Sequence, residues 1–208
     1  MTPPLSPGSA DALLFDLGRV VLDIDFQRAA ARWAHHGKCD IPDINARFAA
    51  DEALRQYESG KISDAAYFAS LRKMLGVDIT DAQLLEGWNA IFVGEIPGIA
   101  PLLARAAKRL PLYALSNTNP PHIAHFSRVH ADLLGHFRKL YLSSTIGLLK
   151  PDRAAYDHVV KAIRAPAPRI VFFDDLAENI QGARAYGLSA VHVKSSEDVA
   201  RALAALGI

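Results

Sequence analysis

The sequence predicts an α/β protein with a doubly wound parallel sheet and a small helical domain inserted after the first strand. Three features predict this class: five short apolar runs, helical segments between most of them, and one connection of nearly a hundred residues. The runs are Ala12–Phe15, Leu112–Leu115, Leu140–Leu142, Ile170–Phe173 and Ala190–Val193. Each run is apolar throughout rather than alternating, which is typical of a parallel strand covered on both faces.

Helical periodicity is clearest between the third and fourth runs, over Pro151–Ile163. Pro151 suits the first turn of a helix, where the missing N–H is not needed. An apolar face follows at helical spacing, made of Tyr156, Val159, Val160 and Ile163. A second helix is predicted near Ala177–Tyr186, with Gly187 as the residue that ends it. Strands that alternate with helices predict one sheet covered on both faces.

The long connection between the first two runs reads as several helices rather than one crossover. Thr80 with Gln83 forms a capping box, Ser63 caps a second helix, and Pro42 with Asp43 opens a third. We therefore predict a helical cap domain at residues 26–93 and an α/β core made of residues 1–25 and 94–208; the alternative is that these helices pack directly on the sheet. The large aromatic side chains of the connection could line a pocket under the cap, but they are expected to form the cap's own core; they are Trp33, Phe48, Tyr67 and Trp88.

Composition excludes several classes of function. Lys and Arg number 23 and Asp and Glu 22, so the net charge of +1 gives no electrostatic reason to expect nucleic acid or a membrane surface as partner. No apolar run approaches the roughly 20 residues of a membrane helix. Cys39 is the only cysteine, which suits a cytoplasmic protein. Met1–Ala10 is expected to be a flexible leader and not a signal peptide. The protein is expected to be a monomer or a homodimer.

Polar side chains follow four of the predicted strands. Asp16 follows the first, Ser116 and Asn117 follow the second, and the pair Asp174–Asp175 follows the fourth. Lys150 lies beyond the third. Because ligands bind at the carboxyl ends of the strands in open α/β sheets, these groups are expected to converge.

The predicted cluster combines the groups that phosphoryl chemistry requires. Carboxylates bind Mg²⁺, which prefers oxygen ligands, and one carboxylate can attack phosphorus to form an acyl phosphate. A lysine with hydroxyl and amide donors can hold the phosphate oxygens. Each residue alone is ordinary loop chemistry, so the prediction depends on the order and placement of the whole set.

The same residues resemble the four motifs of the haloacid dehalogenase superfamily of hydrolases. They stand in the family's order as Phe15-Asp16-Leu17-Gly18-Arg19-Val20-Val21, Leu115-Ser116-Asn117, Lys150-Pro151 and Phe173-Asp174-Asp175-Leu176-Ala177-Glu178-Asn179. The resemblance implies a Rossmann-like core with the helical cap called type 1. Within the superfamily, Leu22-Asp23-Ile24-Asp25-Phe26, Tyr57-Glu58-Ser59-Gly60-Lys61-Ile62-Ser63 and Ser116-Asn117-Thr118-Asn119 are similar to bacterial α-D-glucose-1-phosphate phosphatases.

The resemblance also implies a magnesium site. Asp16 would be both the nucleophile and a Mg²⁺ ligand, joined by the backbone carbonyl of Gly18 and by Asp175. Asp174 and Asn179 would complete the acidic loop, either as ligands through water or as partners of Lys150.

Further residues would hold the phosphate ester itself. The resemblance implies that Ser116 and the Asn117 amide bind the transferring phosphoryl group, while Lys150 neutralises it and orients Asp16. Arg19 stands beside the nucleophile and is expected to touch the substrate or the cap, or to lie on the surface. The substrate implied is a small phosphate ester, with a sugar phosphate such as a sugar-1-phosphate as one candidate.

The chain departs from the family at Gly18. Most phosphatases of the family carry a second Asp two residues after the nucleophile, which protonates the leaving oxygen and then activates water; glycine can do neither. Proton transfer of this kind is typically worth 10²–10⁴-fold in rate. Three interpretations remain open: a leaving group that needs less help, another acid such as Asp23, Asp25 or a cap residue, or a phosphate-binding protein with feeble turnover.

Three other functions compete with the phosphatase. A 2-haloacid dehalogenase would use Asp16 to attack carbon, and its halide departs without a proton. Such an enzyme needs no Mg²⁺, however, whereas the Asp174–Asp175 pair suits a cation. The second is the catalytically weak phosphate-binding protein just described. A response-regulator receiver would place its acidic pair at the first strand, whereas here the pair follows the fourth. Separately, His122 and His125 lie at helical spacing and could bind a metal. No third ligand is evident, so both are expected to be exposed to solvent.

Overall fold

The computed structural model describes residues 4–208. Its strands are β1 (Ala12–Phe15), β2 (Leu22–Ile24), β3 (Phe92–Glu95), β4 (Leu112–Ser116), β5 (Lys139–Leu142), β6 (Ile170–Asp174) and β7 (Ser189–His192). Five of them form one parallel sheet in the order β5-β4-β1-β6-β7. All five predicted strands are confirmed, each within one residue at either end.

Twelve α-helices and one short 3₁₀ helix connect the strands within the described residues. The helices are α1 (Phe26–Gly37), α2 (Ile41–Arg47), α3 (Glu52–Glu58), α4 (Asp64–Leu75), α5 (Asp81–Asn89), α6 (Ile99–Ala107), α7 (Pro120–Val129), α8 (Ala131–Leu134), α9 (Ser143–Ile146), α10 (Arg153–Ile163), α11 (Ala177–Tyr186) and α12 (Ser196–Ala205). Helices α6, α7, α8 and α12 supply the apolar cluster on one face of the sheet. Helices α10 and α11 supply the cluster on the other face.

The central strand explains why its sequence is apolar throughout. Leu13 and Phe15 of β1 belong to the first cluster, whereas Ala12 and Leu14 belong to the second. Successive side chains of a strand point to opposite faces, and both faces are covered here. Strand β1 also lies between β4 and β6, where the chain changes its direction of progress across the sheet. A ligand crevice is expected at the carboxyl ends of the strands beside such a switch point.

The predicted start of α10 is wrong by two residues. Helix α10 begins at Arg153, with Asp152 before it, so Pro151 lies ahead of the helix and not in its first turn. The Lys150–Pro151 peptide bond is cis. The predicted end of α11 is confirmed, because Gly187 follows the helix with φ of 114°, a left-handed conformation that glycine adopts without strain.

Helices α1 to α5 form the predicted helical insertion and have their own hydrophobic core. The cap signals are confirmed: Thr80 and Gln83 form a capping box, Ser63 accepts a hydrogen bond from the N–H of Ala66, and Pro42 lies in the first turn of α2. Trp33, Trp88 and Tyr67 are buried in this core, and Phe48 packs against it. Strands β2 and β3 pair antiparallel where the chain enters and leaves the insertion.

The expectation of a flexible leader is wrong for the described part of the N-terminus. Leu5 packs against the core of the sheet, and the Ser9 hydroxyl donates to the Ser6 carbonyl at 2.7 Å. The Arg169 guanidinium holds the segment against the core by donating hydrogen bonds to the Gly8 carbonyl at 3.0 Å and to the Asp11 carboxylate. Residues 1–3 lie outside the described part. In residues 4–208 no helix has the length and apolarity that crossing a membrane requires.

Candidate active site

Three adjacent strands deliver the predicted side chains to one edge of the sheet. Asp16 directly follows β1, Ser116 is the last residue of β4, and Asp174 is the last residue of β6. The backbone N–H of Asp16 donates to the Phe173 carbonyl at 2.8 Å, so the turn after β1 is held against β6. Asp16, Ser116 and Asp174 are all buried.

Lys150 lies at the centre of this cluster. Its ammonium nitrogen Nζ is 2.8 Å from Oδ1 of Asp16 and 2.7 Å from Oδ2 of Asp174. The side chain of Asn117 holds the Lys150 backbone, with Oδ1 accepting from the N–H at 2.9 Å and Nδ2 donating to the carbonyl at 2.9 Å. The Asn117 side-chain amide is therefore engaged in positioning Lys150, and its main-chain N–H is the group that is left to bind a ligand.

Asp174 accepts hydrogen bonds at both of its oxygens. Oδ1 accepts from the N–H of Leu176 at 2.8 Å and from Nδ2 of Asn179 at 3.0 Å, while Oδ2 accepts from Lys150. Asn179 is thus a partner of Asp174 and not of Lys150. Such a fully buried carboxylate, satisfied by three donors, organises the loop around it.

The donor set fits a divalent cation. Asp16, Asp174 and Asp175 each offer a carboxylate oxygen, and the three oxygens lie within 4.8 Å of one another. Oδ1 of Asn179 is buried and has no hydrogen-bond partner in the described part of the chain, which leaves a further oxygen donor beside them. Hard cations such as Mg²⁺ take oxygen ligands of this kind. Because Asp174 is already saturated with protein donors, Asp16 and Asp175 are the better direct ligands.

Burial dominates the electrostatics of the cluster. It raises the pKa of Asp16 to about 6; Lys150 opposes this shift, and the charge of Asp174 adds to it. The pKa of Asp175 is also raised, first by burial and then by Asp174, while Arg19 and Lys150 lower it. Burial alone would lower the pKa of Lys150, but the carboxylates of Asp16 and Asp174 outweigh it and raise that pKa. The cluster therefore carries more buried negative charge than one lysine neutralises.

The loop after the nucleophile places Gly18 and Arg19 at the edge of the site. Arg19 has φ of 56°, whereas Gly18 has no positive φ, so the left-handed residue in this loop is the arginine. A Cβ atom at position 18 would have one close neighbour, Cδ1 of Ile24 at 3.1 Å. Arg19 is exposed at the mouth of the site.

A cavity of about 390 Å³ lies between the sheet edge and the helical insertion. All of the predicted site residues except the fully buried Asp174 line it: Asp16, Gly18, Arg19, Ser116, Asn117, Lys150, Asp175 and Asn179. The insertion and the β2–β3 ribbon contribute apolar groups, among them Phe26, Leu54, Trp88 and Phe92. Asp23 and Asp25, two of the predicted candidates for the missing acid, are not among the lining residues.

Glu58, the last residue of α3, is the site residue that received no role from the sequence. It lines the cavity, and burial raises its pKa to about 7, with Lys150 lowering it and Asp16 raising it. The segment that contains it resembles known phosphatases, but nothing local indicates which side chain of that segment faces the cavity. Glu58 is therefore a carboxyl group that the insertion brings to the cavity.

The expectation that His122 is exposed is wrong. Its ring is buried and stacks on Trp88, with ring centroids 4.8 Å apart. Nε2 donates to the Trp88 carbonyl at 2.9 Å, and Nδ1 accepts from Asn119 at 3.1 Å. Burial lowers the pKa of His122 to about 4, so the ring is neutral. His122 therefore connects the core to the insertion through its contacts with Trp88. The ring of His125 is half-buried and stacks on Phe92.

Known proteins resemble this chain in sequence and in fold. A D-ribitol-5-phosphate phosphatase from Bacteroides thetaiotaomicron is 25% identical over 191 residues, which cover 89% of this chain and 93% of that protein. The wild-type structure of a HAD family enzyme from the same species, in complex with magnesium and inorganic phosphate, has a TM-score of 0.77 and 26% identity; the match covers 89% of this chain and 95% of that one.

A dehalogenase shares the fold at lower similarity. The L-2-haloacid dehalogenase from Xanthobacter autotrophicus with covalently bound chloropropionic acid has a TM-score of 0.68 and 19% identity, over 92% of this chain and 81% of that one. That likeness concerns the fold alone. The model of the haloacid dehalogenase-like hydrolases matches residues 10–187, and the chain belongs to that family.

Proposed function

We propose that this hydrolase is a magnesium-dependent phosphatase that cleaves a small phosphate ester through an aspartyl-phosphate on Asp16. The observation that carries the proposal is the placement of Asp16: one oxygen lies 2.8 Å from Lys150, and its carboxylate belongs to the cluster with Asp174 and Asp175. A nucleophile beside a cation and a metal site suits attack on an anionic phosphoryl group.

Each residue of the cluster has a role in this proposal. A carboxylate oxygen of Asp16 attacks phosphorus as the bond to the ester oxygen breaks. Lys150 neutralises charge on the transferring group and holds Asp16 in the direction of attack. Ser116 and the main-chain N–H of Asn117 donate to phosphoryl oxygens, and Arg19 touches the substrate at the cavity mouth.

The acidic residues would hold Mg²⁺. The direct ligands would be Asp16, Asp175 and the carbonyl of Gly18. Asp174 and Asn179 would complete the acidic loop, as ligands through water or by holding the neighbouring side chains. When bound, the cation screens the negative charge of the phosphate from the carboxylate that attacks it. Residues 26–93 would serve as a cap that covers the cavity, consistent with the separate apolar core of that segment.

The substrate proposed is a small ester, in agreement with the size of the cavity and with the ribitol phosphatase relative. A sugar phosphate, including a sugar-1-phosphate, stays a candidate. A cytoplasmic location and a monomeric or homodimeric state remain predictions, as does the lack of nucleic-acid and membrane partners.

A substrate panel assayed with Mg²⁺ and with EDTA tests the proposal. Its phosphate esters should include a sugar-1-phosphate, a pentitol phosphate and a nucleotide, and acetyl phosphate and a 2-haloacid should be assayed beside them. Hydrolysis of one or more esters should vanish in EDTA and return when Mg²⁺ is added in excess. Release of halide from the haloacid, undiminished in EDTA, would instead establish the dehalogenase reaction, for which the missing carboxylate at position 18 is no handicap.

A further inference from the structure

The direction of attack defines where an acid is needed. In phosphoryl transfer the attacking and leaving oxygens lie roughly in line on opposite sides of phosphorus. Asp16 reaches the cavity from the end of β1, so the leaving oxygen faces the helical insertion on the opposite side. Gly18, which lies in the same loop as Asp16, has no side chain to protonate it.

Within residues 4–208, four carboxyl groups line the cavity: Asp16, Glu58, Asp175 and Glu178. Asp16 and Asp175 belong to the acidic cluster, and Glu178 lies in the first turn of α11, on the core side of the cavity. Glu58 is the carboxyl that the insertion supplies, and it therefore lies on the side to which the leaving oxygen points.

Neither of the two alternatives in the β2 region is available. The carboxylate of Asp25 caps α1, accepting from the N–H of Gln27 at 2.9 Å. Asp23 belongs to β2, where it pairs with Gly94 of β3, and it does not line the cavity.

The end of α3 is tied to the core on both sides of Glu58. Arg55 of α3 donates to the Asp152 carboxylate at 2.8 Å, two residues beyond Lys150. Gly60 has φ of 70°, and its Cα hydrogens face the Ser144 carbonyl so closely that a Cβ atom would collide with it. The segment that carries Glu58 is therefore docked on the same stretch of core that carries Lys150.

Tyr57 fixes the rotation of α3. Its ring is buried in the core of the insertion, stacked on Tyr67 with centroids 4.3 Å apart, and its hydroxyl donates to Asp64 at 2.8 Å. With Tyr57 pointing into the insertion, the next residue is turned towards the cavity. Glu58 forms no ion pair with Lys150 within the described residues, so its carboxyl is not committed to the cation of the site.

We propose that Glu58 supplies the proton transfers that the residue at position 18 does not. This inference rests on the proposed phosphatase function. As Asp16 attacks phosphorus and the bond to the leaving oxygen breaks, the Glu58 carboxyl gives its proton to that oxygen, and the alcohol departs. The Glu58 carboxylate then removes a proton from the water that attacks the aspartyl-phosphate; the bond between phosphorus and Asp16 breaks, releasing phosphate and restoring both carboxyl groups.

The surroundings of Glu58 suit this alternation. From the core it faces Asp16 and Lys150, whose charges act in opposite directions, and from α4 it faces the neutral Tyr67. Arg19, His122, Asp175 and Glu178 line the rest of the cavity. A carboxyl whose pKa lies near 7 is present in both protonation states at neutral pH, as an acid that becomes a base requires.

The test compares Glu58→Gln with Glu52→Gln, which removes an exposed carboxylate from the same helix. Both variants, checked by thermal unfolding, are assayed with Mg²⁺ on a series of aryl and alkyl phosphates of increasing leaving-group pKa. Glu58→Gln should lose roughly 10²–10⁴-fold in kcat/KM on alkyl phosphates and much less on 2,4-dinitrophenyl phosphate. Glu52→Gln should match wild type across the series.

Two further readouts separate proton transfer from a structural role. On 2,4-dinitrophenyl phosphate, Glu58→Gln should release one equivalent of 2,4-dinitrophenolate in a burst, because water attack on the aspartyl-phosphate has lost its base. Gly18→Asp, combined with Glu58→Gln, should recover part of the alkyl phosphatase activity. An equal loss on every ester, with the same dependence on leaving-group pKa as wild type and no burst, would overturn the inference. Wild-type protein that is inactive on every phosphate ester and on acetyl phosphate would overturn the proposed function itself.

Discussion

The Lys150 ammonium lies 2.8 Å from a carboxylate oxygen of Asp16 and 2.7 Å from one of Asp174, so one buried cation serves two buried carboxylates. Asp175 adds a third carboxyl to the same cluster. One lysine cannot balance this charge, and the excess makes the site ready for a divalent cation. Burial raises the pKa of Asp16 more than the nearby lysine lowers it, and the charges of Asp174 and Asp175 add to the rise.

Lys150→Ala should reduce kcat by roughly 10²-fold or more, because a cation beside the transferring group acts in a site with little water. In EDTA the variant should also lose about 3–5 kcal/mol of unfolding free energy, since two buried carboxylates are left without their partner. Steady-state kinetics and urea unfolding check the two effects. Lys150→Arg should rescue poorly, because a planar guanidinium does not replace a compact ammonium.

A matched control for Lys150 is available on α10. Lys161 pairs with Asp157 one helical turn away, and both side chains are exposed. Lys161→Ala should change stability by no more than about 0.5 kcal/mol and leave kcat unchanged. Equal effects of the two alanine substitutions would mean that Lys150, although buried, contributes no more to catalysis and stability than an exposed lysine.

Asp16→Asn should abolish turnover while leaving the fold intact, because the amide is nearly isosteric but is a poor nucleophile. Burial raises the pKa of Asp16 from its unfolded value to about 6. The folded protein therefore loses stability as the pH rises through about 6, because the buried carboxyl must then ionise. Without metal, the variant should therefore be more stable than wild type at pH 7, and this advantage should disappear below pH 4. Urea unfolding in EDTA at both pH values measures it, and a phosphate-release assay that finds substantial turnover would mean that Asp16 is not the nucleophile.

His122 should make the fold sensitive to acid. Its pKa is about 4 in the folded protein against 6.5 for an ordinary histidine, so below pH 6.5 the unfolded chain binds a proton that the folded protein excludes. Stability is fully present above pH 6.5 and is lost as the pH falls towards 4, by up to about 3 kcal/mol. His122→Gln should be less stable at pH 7 but lose less stability between pH 6.5 and 4. Parallel curves for the two proteins would contradict a neutral, buried His122.

Gly87 should not tolerate alanine, although it lies in α5, where alanine is the better helix former. A methyl group there would overlap the Trp33 indole in the core of the insertion. We expect Gly87→Ala to cost about 1–3 kcal/mol through overpacking. Gly94 in β3 has open space around its Cα, so Gly94→Ala should be close to neutral. Thermal unfolding measures the stability of both variants. A Gly87→Ala variant at least as stable as wild type would mean that α5 can shift away from Trp33.

The sequence by itself determined the strands and the order of the chemistry along the chain. Runs such as Ala12–Phe15 and Ile170–Phe173 are apolar at every position, because both of their faces are buried, and this information is local. The carboxyl ends of parallel strands meet at one edge of a sheet. Asp16 and Asp174 could therefore be placed together before any distance was known. Capping residues such as Ser63 and Thr80 likewise act within four residues of their partners.

Tertiary structure alone decided which side chains from the insertion reach the site. The position of Glu58 depends on Tyr57 packing into one core and on Arg55 and Gly60 docking on another. The burial of His122 depends on Trp88, 34 residues away in the chain. Helical periodicity indicates that a face is apolar but not which partner covers it, because the partner is chosen by packing between distant segments. The motif around Gly18 therefore does not indicate that a carboxyl group from α3 lines the cavity, because the packing of α3 decides the position of Glu58.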